Sequence, residues 1–149
     1  MEYIGNKEEN IKYRKRPGAY AIIVNKNNNK VGIVTDGEDY FYLGGGIEEG
    51  ETKLDTLKRE MIEEVGYSIK NIREFEEVGS FFYSEDKGYL EVVASVYIAE
   101  FDEKIADPIE KDHTVLWVEP EEYVGKMFRE WQRYIIKKFI ERRNNNELF

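Results

Sequence analysis

Short runs of apolar residues in the first third of the chain predict β-strands. Residues 20–24 (YAIIV) and 30–34 (KVGIV) are such runs, and the Asn-rich segment 25–29 between them is typical of a turn, so a β-hairpin is expected. A further strand is predicted over 40–43, and it runs into consecutive glycines at 44–46. Because glycine has no Cβ, these residues allow the backbone to turn tightly and to approach a ligand.

An amphipathic helix is predicted directly after the glycines. Its apolar residues recur at spacings of three and four, at Leu54, Leu57, Met61 and Val65. Thr52 followed three positions later by Asp55 approximates a capping box, and Gly66 is typical of a left-handed C-cap. We expect the apolar stripe to pack on the sheet.

The second half of the chain again predicts strands followed by a helix. Two longer strands are expected over 71–83 and 90–101, joined by a turn at residues 87–88. An acidic loop over 102–113 then leads to a short strand over 115–118.

A second helix is predicted from Met127 onward, after a turn of helix opened by Pro120. A polar tail follows it over 142–147. The apolar stripe of this helix comprises Phe128, Trp131, Ile135 and Phe139. The order of strands, helix, strands and helix predicts an α/β fold, namely an α/β/α sandwich in which a mixed β-sheet lies between helices.

Composition limits the class of protein. The chain has 149 residues, 41% of them hydrophobic, and we expect residues 1–149 to form a single globular domain. The absence of cysteine excludes a disulfide framework, a thiolate zinc site and a cysteine nucleophile, and it fits a reducing compartment. A cytoplasmic location is therefore expected.

Charge and hydropathy restrict the partners. The formal net charge of -9 argues against a broad basic face for duplex nucleic acid. No apolar run approaches the ~20 residues that span a bilayer, so no membrane partner is expected. An anionic ligand would need local Lys, Arg or a divalent cation to offset its repulsion by the protein.

Glycine, acidic and arginine residues between positions 45 and 67 occur at fixed offsets. They are Gly45, Glu51, Arg59, Glu60, Glu63, Glu64 and Gly66. The pattern resembles the Nudix box, G-x5-E-x7-R-E-U-x-E-E-x-G-U, where U is a bulky apolar residue. Met61 and Tyr67 stand at the two U positions, Tyr67 being aromatic where an aliphatic residue is usual.

Three of these acids come together if the segment is helical. Glu60, Glu63 and Glu64 are three and four positions apart, away from the apolar stripe, and predict a solvated face with three carboxylates. Like charges at these offsets raise one another's pKa, whereas a divalent cation between them reverses the repulsion. Oxygen ligands without cysteine suit Mg²⁺ or Mn²⁺. A solvated acidic face without metal is the alternative interpretation.

The resemblance implies a fold, an activity and roles for residues. It implies an α/β/α sandwich with the box as loop, helix and loop, and hydrolysis of a nucleoside diphosphate linked to another moiety. Glu60, Glu63 and Glu64 would bind metal, together with the carbonyl of Gly44. Arg59 would orient the acidic cluster.

Other box residues would have structural roles by the same resemblance. Glu51 is expected to be structural or auxiliary, and Gly45 and Gly66 to shape the loops on either side of the helix. The predicted catalytic residues within the box are Arg59, Glu60 and Glu63.

The general base varies within the family, between a box glutamate and an acid on a later loop. In this chain Glu60 is the box candidate, and Glu110 is the loop candidate that we add to the predicted catalytic residues. Asp112 and His113 lie beside Glu110 in the sequence. An ordinary polar loop explains the same three residues equally well.

Residues outside the box allow two interpretations. Basic residues before the first strand can reach substrate phosphates or form a surface cluster: Arg14, Lys15 and Arg16. Aromatic residues of the later strands can stack on a base or belong to the core: Phe82, Tyr83, Tyr89 and Trp117. None of them is assigned to the site.

The substrate is expected to be a small nucleotide-type molecule. Nucleoside triphosphates are our first choice because the chain is small, and dinucleoside polyphosphates, nucleotide sugars and ADP-ribose stay open. A nucleotide-sensing domain without turnover is the alternative from another class. Such a domain would normally have lost a box carboxylate, and all of them are present here.

Overall fold

The computed structural model describes residues 1–148, which form eight β-strands, two α-helices and one 3₁₀ helix. The strands are β1 (Glu2–Ile4), β2 (Arg14–Val24), β3 (Val31–Thr35), β4 (Tyr40–Phe41), β5 (Leu43–Gly46), β6 (Tyr67–Ser84), β7 (Gly88–Lys104) and β8 (Thr114–Val118). The helices are α1 (Lys53–Val65), α2 (Glu130–Asn144) and the 3₁₀ helix Pro120–Tyr123.

The strands form one mixed sheet. Its main path runs β1-β6-β7-β2-β3-β4, while β5 pairs with β2 and β8 pairs with β3. Strand β2 is parallel to β7 and β1 is parallel to β6, whereas the other pairs are antiparallel. The glycines of β5 lie opposite residues 18–20 of β2, so they are held against a central strand.

The two helices pack on opposite faces of the sheet. Alternate residues of a strand point to opposite faces, and in β2 Ala19, Ala21 and Ile23 belong to the core that α1 fills. Ile22 and Val24 belong to the core that α2 fills. The predicted α/β/α sandwich is therefore confirmed.

Both predicted caps of α1 are present. The Asp55 N–H donates to Thr52 Oγ1 at 3.1 Å, and the Thr52 N–H donates to Asp55 Oδ2 at 3.1 Å. Gly66 has φ +77°, and its N–H donates to the carbonyls of Met61 and Ile62. These bonds fix both ends of the helix that carries the acidic residues.

The expectation that Leu54 belongs to the buried stripe of α1 is wrong. Leu54 is 41% exposed, whereas Leu57 and Met61 are fully buried and Val65 is nearly so. Leu54 lies in the first turn of the helix. The Leu54 side chain therefore does not belong to the apolar face that packs on the sheet.

Helix α2 begins at Glu130, three residues later than predicted. Arg129 has an extended backbone, and the segment before it runs beside β4, where the Phe128 N–H donates to the Tyr40 carbonyl at 2.9 Å. Met127 is therefore buried while Phe128 is 38% exposed. Helical periodicity does not apply to an extended segment, so the assignment of Phe128 to the helical stripe is wrong.

Several strands are longer than their apolar runs. Strand β2 begins at Arg14 because residues 14–18 pair with residues 90–94 of β7. Strand β6 begins directly after α1, and β7 continues to Lys104, which shortens the predicted acidic loop. Strand β1 was not predicted, and it joins the sheet only through β6. No helix within residues 1–148 is long and apolar enough to cross a membrane.

Candidate active site

The loop between β7 and β8 is tied to the end of α1. The N–H groups of Ile109 and Glu110 donate to the Glu63 carbonyl at 2.9 and 3.0 Å, and those of Ile105 and Ala106 donate to the Gly66 carbonyl. The last carbonyls of a helix have no partner within the helix, so a passing loop can satisfy them. These bonds hold the late loop beside the box.

Gly66 allows this close approach. A Cβ on Gly66 would lie 2.0 Å from the Ala106 carbonyl oxygen. Any side chain at position 66 would therefore push the late loop away, in addition to straining the left-handed cap.

Arg59 links the parts of the box. Its guanidinium donates to both carboxylate oxygens of Glu51, from Nε to Oε2 at 2.7 Å and from Nη2 to Oε1 at 3.0 Å. Nη1 donates to Glu60 Oε1 at 3.0 Å and to Glu63 Oε2 at 3.1 Å, and Nη2 donates to the Gly46 carbonyl at 3.3 Å. One cation thus orients three carboxylates and one strand end.

Glu51 binds Arg59 through both of its carboxylate oxygens. Hydrogen bonds from Arg59 and from the Glu48 N–H lower the pKa of Glu51 to about 2. Thr56 Oγ1 also donates to Glu51 Oε1, at 2.8 Å. All of these contacts are made inside the protein, and the structural or auxiliary role expected for Glu51 stays a prediction.

Glu60 faces the glycine strand. Burial is the main cause that raises its pKa, and the neighbouring Arg59 opposes the rise. A Cβ on Gly45 would lie 2.6 Å from Glu60 Oε1. The glycine at this box position therefore makes room for the Glu60 carboxylate.

Glu64 is buried, and the expectation of a fully solvated acidic face is wrong for this residue. Glu64 is 4% exposed, and its Oε1 accepts the Gly44 N–H at 2.9 Å. Burial raises its pKa to about 8, although the Gly44 bond acts in the opposite direction. Strand β5 and the late loop cover this part of the helix. The spacing of residues along the helix does not predict either of these neighbours.

Gly44 meets the cluster through its amide. It has φ +133°, and a Cβ there would lie 2.2 Å from the Ala19 carbonyl oxygen, so only glycine fits this position. The expected use of its carbonyl as a metal ligand stays a prediction.

The late loop adds two side chains to the cluster. His113 Nδ1 lies 3.5 Å from Glu64 Oε2 and 3.5 Å from Glu110 Oε2. This nitrogen is buried and has no hydrogen-bond partner within residues 1–148. Asp112, the third loop candidate, is exposed and does not join the group.

The assembled groups fit a divalent cation. One ligand atom from each of Glu64, Glu110 and His113 lies within 4.8 Å of the others. The raised pKa of Glu64 reflects a buried carboxyl group among further acids, which a cation would stabilise in its charged form. Carboxylate oxygens are ligands of Mg²⁺, Ca²⁺ and Mn²⁺, and an imidazole is a ligand of transition metals.

A cavity of about 320 Å³ opens beside the cluster. Its lining includes the glycines 44–46, Glu64 and His113. Arg16 also lines it and packs on Gly46, where a Cβ would lie 3.1 Å from Arg16 Nη2. Among the basic residues at 14–16, Arg16 alone lines this cavity.

The cavity lining also contains residues that the sequence did not indicate as site residues, namely Phe128, Arg129 and Gln132. Phe82, one of the aromatic candidates, lines the cavity with them. The sequence carries no local signal for this combination, because β6 and the start of α2 meet only in the folded chain.

The remaining aromatic candidates lie elsewhere. The rings of Tyr83 and Tyr89 contact each other at 4.9 Å, away from the cavity lining. Trp117 contacts Phe101 edge-on at 5.8 Å and lines a second cavity of about 290 Å³ on another side of Glu64 and His113.

Comparisons with known proteins agree with this geometry. Residues 14–139 match the family model described as NUDIX domain. A solved structure from a study of MutT of Aliivibrio salmonicida and Vibrio cholerae has a TM-score of 0.65 and 19% identity, over 87% of this chain and 99% of that chain.

Two further solved structures show the same fold. A NUDIX hydrolase from Nitrosomonas europaea has a TM-score of 0.69 and 15% identity, over 86% of this chain and 90% of that chain. A MutT protein from Bacillus halodurans has a TM-score of 0.61 and 21% identity, over 82% and 80%. No match was found among curated proteins.

Proposed function

Because the chain belongs to the Nudix family of pyrophosphate-bond hydrolases, we propose that it hydrolyses a nucleoside triphosphate with the help of a divalent metal ion. One observation carries this proposal. Arg59 holds the box carboxylates of Glu60 and Glu63, and the next box carboxylate, Glu64, meets Glu110 and His113 of the late loop beside a cavity of about 320 Å³.

The ion is proposed to be held by Glu60, Glu63, Glu64 and the carbonyl of Gly44, with Glu110 and His113 beside Glu64 but outside the set of ligands. A Mg²⁺ or Mn²⁺ ion bound there would draw charge from the pyrophosphate oxygens and lower the pKa of the attacking water. Arg59 keeps Glu60 and Glu63 in fixed orientations, and the Gly44 N–H does the same for Glu64. The protein thereby positions its ligands before substrate binds.

Glu110 is proposed as the group that takes the proton from the attacking water. Its backbone is fixed by the bond to the Glu63 carbonyl, while its side chain is 42% exposed and reaches the cluster edge. Glu60 stays the alternative, although its carboxylate already accepts from Arg59 and has a raised pKa. A base must be free to approach the water, which favours the loop residue.

The substrate is proposed to bind in the larger cavity with its phosphates near the glycine strand. The backbone at 44–46 and the guanidinium of Arg16 line that end and can meet phosphate oxygens. A nucleoside triphosphate is the first choice because the chain is small, and two structural neighbours carry the name MutT. Dinucleoside polyphosphates and nucleotide sugars are the next candidates.

A nucleotide-sensing domain without turnover is the second candidate function. The presence of every box acid, each held in a defined contact, favours an enzyme. A cytoplasmic location is part of the proposal and rests on the cysteine-free sequence.

The test is a screen of phosphate and pyrophosphate release over a panel of nucleotides in Mg²⁺. The panel contains nucleoside triphosphates, dinucleoside polyphosphates, nucleotide sugars and ADP-ribose. Release from at least one substrate supports an enzyme, and release confined to the triphosphates supports our first choice. Nucleotide binding without any release would favour the sensing domain.

A further inference from the structure

Tyr20 lines the cavity beside the acidic cluster, and its hydroxyl has no hydrogen-bond partner within residues 1–148. His113 Nδ1 is the one buried side-chain atom without a partner in this part of the chain, so the Tyr20 oxygen is accessible from the cavity. The other tyrosine of the lining, Tyr42, differs, because its hydroxyl donates to the Gln132 carbonyl at 2.6 Å. A hydroxyl that the fold does not use can donate to a ligand.

Two glycines leave room for the Tyr20 hydroxyl and for the neighbouring guanidinium of Arg16. A Cβ on Gly18 would lie 2.9 Å from Tyr20 Oη, and a Cβ on Gly46 would lie 3.1 Å from Arg16 Nη2. Gly18 and Gly46 are directly opposite each other in the pairing of β2 with β5. The Cβ positions of such a pair are about 4.5–5.5 Å apart on one face of the sheet. The hydroxyl and the guanidinium therefore lie over neighbouring points and can reach one phosphate group.

The guanidinium of Arg16 is also without an acceptor. In the part of the chain that the structure describes, it makes no hydrogen bond and no ion pair. It lines the same cavity as Tyr20, in a protein whose net charge is -9. Two groups that only lack acceptors thus lie side by side, and an anionic ligand would satisfy both of them.

The Tyr20 hydroxyl lies between the guanidinium and the box acids. Burial is the main cause that raises the pKa of Tyr20, to about 12. The charge of Arg16 lowers this pKa, whereas the charges of Glu60 and Glu64 raise it. The hydroxyl therefore keeps its proton at neutral pH and acts as a donor, on the side of the cavity where the metal ion is proposed to bind.

The ring of Tyr20 is held in place by its packing. Its centre lies 5.0 Å from that of Trp131, which is 3% exposed, and the two rings are tilted by 57°. The other contact is with Gly18, where a Cβ would lie 2.7 Å from the ring. Because the ring is fixed before a ligand arrives, little side-chain freedom is lost when the hydroxyl binds it.

We propose that the Tyr20 hydroxyl donates a hydrogen bond to the same substrate phosphate group that Arg16 binds, beside the metal ion. This inference rests on the proposed function for the placement of the pyrophosphate. The hydroxyl transfers no proton, and its bond to an anionic oxygen is charge-assisted. Donors fixed beside the phosphate oxygens also stabilise the charge that shifts onto them as the pyrophosphate bond breaks.

The test uses methylenediphosphonate, a pyrophosphate analogue whose P–C–P bridge cannot be hydrolysed. Calorimetric titration of the full chain in Mg²⁺ measures its affinity without turnover. Tyr20→Phe removes only the hydroxyl, and it should weaken binding by about 10-fold, the usual worth of one hydrogen bond to a charged group. The kcat/KM for the nucleotide found in the screen should fall by a similar factor. The melting temperature should not change, because the hydroxyl bonds to no other part of the protein.

Two further variants separate the hydroxyl from its surroundings. Tyr134→Phe is the matched control, since Tyr134 is half-buried on α2 and lies outside the cavity lining, and it should bind as the wild type does. Gly18→Ala keeps the hydroxyl but displaces the ring, so it should also weaken binding. In the Tyr20→Phe background, Gly18→Ala should cost little more affinity, because no hydroxyl is left to displace.

Four results would overturn the inference: no binding of the analogue by the wild type, wild-type affinity in Tyr20→Phe, an equal loss in Tyr134→Phe, or a loss accompanied by a lowered melting temperature. The last result would identify a structural role. Failure of the proposed function is distinguishable, because no nucleotide would be hydrolysed while the analogue still bound through Tyr20. Hydrolysis with wild-type kcat/KM in Tyr20→Phe would overturn this inference alone.

Discussion

Glu64 combines burial with a carboxyl group that accepts one backbone hydrogen bond. Burial raises its pKa to about 8, which favours the neutral acid in the metal-free protein. A cation beside it would favour the carboxylate, so metal binding and deprotonation are coupled. The residue is therefore expected to matter much more for turnover than for folding.

Glu64→Gln should lower turnover by at least roughly 100-fold, as expected for an interaction that stabilises the transition state. The free energy of unfolding should change by less than about 1 kcal/mol, because glutamine keeps an oxygen for the Gly44 N–H and carries no charge to bury. Steady-state kinetics and urea denaturation measure the two effects. Glu122→Gln, at an exposed acid outside the cluster, is the control, and full activity in Glu64→Gln would contradict the assignment.

Glu51 should give the protein a distinct stability profile in acid. Its pKa in the folded protein is about 2, below the ordinary value of 4.5. The Glu51 carboxylate therefore stabilises the fold fully above pH 4.5, and this stabilisation is lost as the pH falls toward 2. The stability difference between wild type and Glu51→Gln should therefore shrink over that window. Urea unfolding at a series of pH values measures this difference in the free energy of unfolding. A difference that does not change with pH would contradict the contact between Glu51 and Arg59.

At the scale of elements, helix α1 packs one face on the sheet and carries the box glutamates on another. The elements that contact the helix determine the burial of both faces. Leu57 and Met61 are fully buried in the core between α1 and the sheet. The acidic side is covered in part by β5 and by the late loop, which bonds to the carbonyls of Glu63 and Gly66. The helix therefore positions the acids only because both of its ends are fixed.

Leu57→Ala should destabilise the protein by about 2–5 kcal/mol, the cost of removing a large side chain from a packed core. The folded fraction should keep its activity per molecule, because Leu57 belongs to the core between α1 and the sheet. Leu54→Ala is a matched control on the same helix, and its exposed side chain should cost less than about 0.5 kcal/mol. Thermal or urea unfolding measures the stability of both variants, and an assay measures their activity per folded molecule. Equal losses of stability in Leu57→Ala and Leu54→Ala would contradict the packing described.

Glu110→Gln should lower turnover by roughly 10² to 10⁴, the usual worth of a general base, while leaving metal affinity nearly unchanged. Asp112→Asn changes an exposed acid of the same loop and should be silent. Steady-state turnover and metal titration of both variants test this prediction. Wild-type turnover in Glu110→Gln, with a severe loss in Glu60→Gln, would transfer the role to Glu60.

At the scale of the whole molecule, the site forms where local and long-range structure meet. Local spacing predicted the box, the capping box of Thr52 and Asp55, and the cap at Gly66, because helix caps depend on neighbours in sequence. The α/β/α arrangement was predictable from the order of elements and is confirmed by the two cores. These features follow from periodicity and turn chemistry.

Other features depend on contacts that no local pattern contains. The burial of Glu64 follows from the covering strand and loop, and Leu54 is exposed although it shares the spacing of the buried residues of α1. Arg129 and Gln132 face the cavity only because the segment before α2 runs beside β4. Strand β1 was missed because its three residues are fixed by pairing with β6.

The most direct test of the central claim is turnover of the preferred nucleotide as a function of Mg²⁺ concentration, starting from protein treated with EDTA and shown by elemental analysis to be metal-free. We predict no hydrolysis without metal, and activity that rises to saturation with added Mg²⁺ or Mn²⁺. Full turnover of the metal-free protein would contradict the assignment of the acidic cluster as a site of metal-dependent hydrolysis.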